Sequence, residues 1–268
     1  MIAPSEPGAH VPHPVPPPTG GAPTAADLTP ATVELFERAE DGRTRPALLW
    51  RAGPGWRMVS SAVLGGGLGA RHWVLNAQVS HGYRRTDPAA HLAEIAASAG
   101  LTGAGVGLLT AADVTARART RDGGVDAVVT AGIEVRGWAA VPDAGVRVPA
   151  PARPGGGTYV PGTVNVLAFV PAALSDAAMV NAVATAVEAK VQALVEAGHD
   201  CSGTPTDAVC VAARTPRPGE ETHAFAGPRS LWGARLARAV HRAVLTAAPA
   251  RPSGPDRGSR SGGRVPAL

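Results

Sequence analysis

The chain has 268 residues and a formal net charge of +4, and 45% of it is hydrophobic. That apolar content suffices for a packed core and excludes a wholly disordered chain, while no unbroken apolar run approaches the eighteen or so residues of a membrane span. The basic excess is scattered: residues 1–27 hold Glu6 and Asp27 and no Lys or Arg, residues 249–268 hold four Arg against Asp256, and the rest is nearly balanced, so no basic nucleic-acid face is expected.

Residues 1–27 are rich in Pro, Ala and Gly, with neither the basic nor the apolar region of a secretory signal, and are expected to be disordered. Val33–Phe36 and Pro46–Trp50 then flank Asp41-Gly42, a hairpin signal. Trp56–Val59 and His72–Leu75 read as further strands. Asp87 is placed to cap a helix over 88–99 that Gly100 ends. Val106–Leu109 and Val125–Val129 are short apolar strands.

Residues 142–162 are rich in Pro and Gly and read as a flexible loop or lid. Beyond them lie a strand over Thr163–Val170, a helix from the Ser175 cap to about Ala197, a buried strand over Ala208–Ala212, and a helix from Ser230 to about Thr246. Residues 249–268 are again expected to be disordered. A β-rich first half followed by strand–helix units predicts a single α/β or α+β domain over 28–248, a mixed sheet packed by a few helices. Two cysteines, Cys201 and Cys210, make no disulfide framework, which points to a reducing cytoplasm.

The helix after Ser175 is the most informative element. Val180, Val183, Ala184, Val187, Val191, Leu194 and Val195 recur at three- and four-residue steps and are expected to face the sheet. Asn181, Thr185, Glu188 and Gln192 form a polar stripe beside them. This stripe is either a solvated flank or the wall of a cleft, where apolar surroundings would raise the pKa of Glu188 toward that of a general base. Of the 25 basic residues all but one are arginine, and the exception, Lys190, lies on this helix. Lysine is a compact point charge able to lose a proton, so its presence here marks it as a second candidate beside a plain snorkelling role.

Other candidates lie in loops and at strand ends. Gly65-Gly66-Gly67-Leu68-Gly69 could bring backbone close to a ligand, though it is neither a dinucleotide nor a P-loop pattern. Asn76, His81 and Tyr83 follow a strand, as polar site residues often do. Thr204, Thr206 and Asp207 precede the strand over 208–212 and serve either as turn residues or as substrate contacts. The eight histidines show no zinc spacing, so no metal site is expected, and there is no GxSxG elbow.

Taken in order, SSAVLGGG (60–67), LNAQVSHGY (75–83), GLLTAADV (107–114), AVVTAGI (127–133), GTVNVLAFVPAALSDAAMVNAVATAVEAK (162–190), GTPTDAVCVAA (203–213) and FAGPRSLWG (225–233) resemble the adenosylcobinamide amidohydrolase family of corrinoid salvage. The resemblance implies hydrolysis of the amide between the aminopropanol arm and the corrin ring, giving adenosylcobyric acid. It implies no cofactor, since the cobalt belongs to the corrinoid substrate. The matching positions are Asn76, Thr110, Thr130, Asn165, Asn181, Glu188, Lys190, Thr206 and Asp207. Amide hydrolysis needs an activated nucleophile, oxyanion stabilisation and a proton for the amine. On that basis Glu188 is the expected general base. Lys190 or the Asn76 and Asn181 amides would stabilise charge or position the amide, and Asp207 and Thr206 would orient the group. His81, Gly66, Gly67, Thr110, Thr130 and Asn165 are expected to contact substrate. A corrinoid binder without turnover and an amidohydrolase acting on another amide remain alternatives. Neither a nucleic-acid partner nor a membrane span is expected, and the oligomeric state is open.

Overall fold

The computed structural model describes residues 31–140 and 162–249. Both outer tails, apart from Pro249, and the proline-rich segment up to residue 161 lie outside the described residues. The strands are β1 (Val33–Glu40), β2 (Arg43–Arg51), β3 (Trp56–Ser60), β4 (Gly67–Ala70), β5 (Trp73–Gln78), β6 (Val106–Thr110), β7 (Ala118–Asp122), β8 (Val125–Gly132), β9 (Thr163–Val170) and β10 (Ala208–Arg214). The helices are α1 (Pro88–Ser98), α2 (Asp176–Glu196) and α3 (Leu231–Ala247).

Where the sequence suggests one mixed sheet, the chain builds two. One has four strands in the order β1-β2-β5-β6, and the other has six in the order β4-β3-β10-β9-β8-β7. The β1–β2 hairpin turns at Asp41-Gly42, where both residues have positive φ, 50° and 68°, as a type I′ turn requires. The parallel pairs β5–β6 and β9–β10 each enclose a helix, α1 and α2. The other neighbouring strands are antiparallel.

Three apolar clusters show that the molecule is layered helix–sheet–sheet–helix. Leu49, Leu75 and Ala77 pack under α1 residues Leu92, Ile95 and Ala96. Leu48, Trp50, Met58, Val74 and Leu108 meet Val128, Leu167, Phe169 and Cys210 between the sheets. Val129, Val166, Val211 and Val170 pack against α2 and α3. The inner strands β2, β5, β8, β9 and β10 alternate between two such layers, as the two-residue period of a pleated strand dictates. All eight residues of β9 are buried, because it is central in a sheet covered on both faces.

The packing face of α2 differs from the expected one. The alanines Ala178, Ala182, Ala186, Ala189 and Ala193 are buried, while Val180, Val187 and Val195 are exposed at 61%, 37% and 49%. Both faces are apolar, so period alone does not choose between them. Small side chains let the helix approach the sheet and α3 closely, and that proximity decides the face. By length and composition α2 also qualifies as a membrane span, but half of its apolar window is buried inside the protein. The caps hold as expected at Ser175 and Ser230, whose hydroxyls accept from the N–H groups of Ala178 and Gly233, both at 3.2 Å. Asp87 makes no capping bond, since its carboxylate is taken by Arg85.

Candidate active site

At one end of the molecule β5, β6 and β8 finish while β9 and β10 begin. Polar residues replace the apolar side chains of the inter-sheet layer there. Asn76 on β5 donates from Nδ2 to Thr130 Oγ1 on β8 at 3.0 Å, so it joins the two sheets. Asn165 on β9 donates from Nδ2 to Asn76 Oδ1 at 2.9 Å and to Leu109 O at 3.0 Å. These two acceptors fix the orientation of the Asn165 amide and leave its Oδ1 buried with no partner. Thr110, at the end of β6, accepts from Ala112 N at 3.0 Å. Asn76, Thr110, Thr130 and Asn165 are all at most 2% exposed. Such a cluster is expensive between two sheets unless satisfied, and the spare Asn165 oxygen is an acceptor in want of a donor.

A second polar knot closes the same end on the helix side. Lys190 of α2 is 5% exposed and ion-paired with Asp207. The other acceptor positions of Asp207 are taken by Val164 N at 2.8 Å, Thr204 N at 3.2 Å and the Thr204 hydroxyl. A carboxylate offers about four lone-pair sites, so Asp207 is saturated. Thr206 shares a 2.6 Å hydrogen bond with Thr163 and donates to Gly162 O. Gly203 lies against Lys190 Nζ and the Asp207 carboxylate, with no room for a Cβ. The knot ties α2 and the loop before β10 to the first residues of β9, the strand that carries Asn165.

The other expected residues do not join these two clusters. Asn181 sits nine residues before Lys190, about 14 Å along the helix, and accepts from Ala226 N at 3.3 Å. Thr185 donates to Ala226 O at 2.8 Å, so this part of the polar stripe staples α2 to the loop before α3. Glu188 is exposed on α2, apart from both polar clusters, which withdraws support from its reading as a base in a cleft. Gly66 precedes β4 and Gly67 opens it, where neighbouring Leu64 bridges to Gly107 near the start of β6, away from Thr110 at its end. His81 is exposed in the loop after β5. Among the described residues no group of three or more His, Cys, Asp or Glu could hold a metal ion.

The family model described as adenosylcobinamide amidohydrolase matches residues 31–253. The chain belongs to this family. It is 30% identical over 194 residues to an adenosylcobinamide amidohydrolase of Methanosarcina mazei, covering 69% of this chain and 86% of that protein. It is 42% identical over 109 residues to one of Halobacterium salinarum, covering 38% of this chain and 46% of that protein.

A further group of polar residues that the sequence alone did not bring together lies on the other face of the four-stranded sheet. Arg38 and Glu40 on β1 and His91 on α1 line a cavity of about 580 Å³ between that edge strand and the helix. Tyr83, from the motif LNAQVSHGY, hydrogen-bonds His91 Nδ1 at 3.1 Å and stacks on its ring. The signal was present. His91 falls on the helical face of Leu92 and Ile95, and Arg38 and Glu40 alternate with Phe36 along one strand face. What it lacked was any cue that this helix lies over this strand.

Proposed function

We propose that this chain hydrolyses the amide joining the aminopropanol arm to the corrin ring of adenosylcobinamide, releasing adenosylcobyric acid and aminopropanol. The observation that carries the reading is membership of the family across nearly all of the described residues, with a relative matched over 86% of its length. The cobalt enters with the substrate and takes no role as a resident cofactor. The bond cleaved is a linear amide, so water adds to the carbonyl carbon, the C–N bond breaks, and the amine leaves with a proton.

The geometry suits recognition of an amide-rich ligand. Asn165 Oδ1, an acceptor without a partner, suits a substrate N–H, and Asn76, held by Thr130, and Leu109 O set its orientation. Lys190, Asp207 and Thr206 act through the start of β9, as positioning residues. His81, in the loop after β5, remains a candidate contact for the macrocycle. The free, buried cysteines suit a reducing compartment, and we place the protein in the cytoplasm.

The test is incubation with adenosylcobinamide followed by chromatography of the corrinoids. Adenosylcobyric acid is the expected product. A spectral change without that product would make the protein a corrinoid binder, and cleavage of another amide alone would change the substrate.

A further inference from the structure

We propose that His91 is the general base of the amide hydrolysis, working in the groove between β1 and α1 with Tyr83 and Glu40 as its partners. The proposal rests on the amidohydrolase reading and assigns the reacting centre within it. Three observations lead to it.

First, a groove open to solvent runs between β1 and α1. Its volume, about 580 Å³, is in the usual range for a small-molecule site. Phe36 and Ile95 supply apolar wall, and Arg38, Glu40, His91 and Glu94 supply polar wall. Such a groove suits a short aliphatic arm bearing a hydroxyl, with the macrocycle left outside.

Second, His91 is only 5% exposed yet is gripped from both sides of its ring. Tyr83 Oη lies 3.1 Å from Nδ1, with the two rings stacked at 14°. Glu40 Oε2 lies 3.6 Å from Nε2, too far for a hydrogen bond but close enough to stabilise an imidazolium in a poorly solvated site. In the tautomer that acts as base, Nδ1–H donates to Tyr83 Oη and Nε2 keeps its lone pair toward the groove. Burial holds the imidazole pKa below its ordinary value against the pull of Glu40, so the ring is neutral and ready to accept a proton at neutral pH. The charged groups facing it are Glu40 and Arg38 from β1, Arg85 from the loop before α1, and Glu94 from α1 itself.

Third, the groove belongs to the same end of the molecule as the asparagine cluster. Arg38 donates to Gln78 O at 2.7 Å, two residues beyond Asn76 at the end of β5. Arg38 is itself ion-paired to Glu40 at 2.5 Å, so the last residues of β1 and β5 are held together.

The step balances simply. As the water oxygen bonds to the amide carbon, its proton passes to His91 Nε2. As the C–N bond breaks, that proton passes to the departing nitrogen, leaving a carboxylate-forming acid and a free amine.

The test compares wild type with His91→Gln, Glu40→Gln and Tyr83→Phe on adenosylcobinamide, with circular dichroism and denaturation midpoints to confirm folding. Loss of a general base predicts a fall in kcat of about 10²- to 10⁴-fold for His91→Gln, with KM little changed. Glu40→Gln removes the charge that favours the imidazolium. It therefore moves the acid limb of the kcat/KM profile to lower pH, a readout that a merely structural brace leaves unmoved. Tyr83→Phe keeps the stacked ring but lowers kcat by freeing the tautomer. A His91→Gln enzyme within about twofold of the wild-type kcat overturns the assignment. So does an acid limb that Glu40→Gln leaves in place, which keeps the test alive even if His91→Gln fails to fold. Wild type that forms no adenosylcobyric acid overturns the functional reading and this assignment with it. An active wild type with active variants overturns this assignment alone.

Discussion

The Lys190–Asp207 knot and the Tyr83–His91–Glu40 chain each hold one buried basic side chain, on α2 and α1, and both are built from titratable groups at the same end of the molecule. They differ in valence. Every acceptor position on Asp207 is taken by Lys190, Val164 or Thr204, all of them protein groups. His91 has one firm partner, Tyr83, and a second nitrogen that meets Glu40 only at 3.6 Å beside an open cavity. A saturated buried pair resists change and holds backbone in place. An unsaturated group beside a cavity is free to exchange a proton. The lesson is that burial and charge alone do not mark chemistry, and that spare hydrogen-bonding capacity facing a cavity does.

The largest expected effect tests the saturated member. Asp207→Ala leaves Lys190 buried without its counter-charge and should cost about 3–5 kcal/mol of stability by chemical denaturation. A loss under about 1 kcal/mol would show that the knot is not what holds β9 to α2. Next, Lys190→Arg keeps the charge but must fit a larger, planar head where Gly203 already crowds Nζ. It should cost about 1–3 kcal/mol, and a neutral result would make the lone lysine an accident of composition. Asn165→Ala should cost about 1–3 kcal/mol by orphaning Asn76 Oδ1 and Leu109 O, and it should weaken substrate binding if the spare oxygen serves the ligand.

A pH experiment sharpens the contrast between saturated and unsaturated histidines. His223 accepts the Trp232 indole N–H on Nε2 at 2.9 Å, so its ring must be neutral there, and burial lowers its pKa. The unfolded chain then takes up the proton more readily. The stability that His223 contributes is complete above the unfolded value of about 6.5 and is lost as pH falls below it toward the depressed folded value. Denaturation midpoints should therefore fall between about pH 7.5 and pH 5.5, and His223→Gln should flatten that slope. A slope unchanged by the substitution would assign it to another group, with His91 next in line. The smallest effect belongs on the outer face of α2. Val187→Gln and Glu188→Gln should each move stability by no more than about 0.5 kcal/mol and leave turnover intact. A loss of activity in Glu188→Gln would restore the cleft that its exposed position argues against.

Much of the architecture was legible in the chain. Asp41-Gly42 marked the first hairpin because few other pairs tolerate two positive φ angles. Ser175, Ser230, Gly100 and Gly198 marked helix ends because orphan backbone groups there need partners or a left-handed residue. Edge strands were harder. Gly67–Ala70 lacks the side chains that announce a strand, and Ala118–Asp122 is polar on its open face, so β4 and β7 emerge only from pairing with β3 and β8. The residues of the asparagine cluster were individually visible through the family resemblance. Their mutual contacts, across as many as 89 positions, were not.

By itself the sequence determined the family, the order of the helices and of every strand but β4 and β7, and the polar residues at the ends of β5, β6, β8 and β9. Local propensity and turn chemistry act over a few residues, and family motifs are read along the chain. Only the tertiary structure decided that there are two sheets, that the alanine face of α2 is the buried one, that Glu188 is exposed, and that Glu40, Tyr83 and His91 meet. Those outcomes depend on which apolar surfaces approach most closely and on which charges find partners across long separations. Neither quantity is defined until the layers have packed.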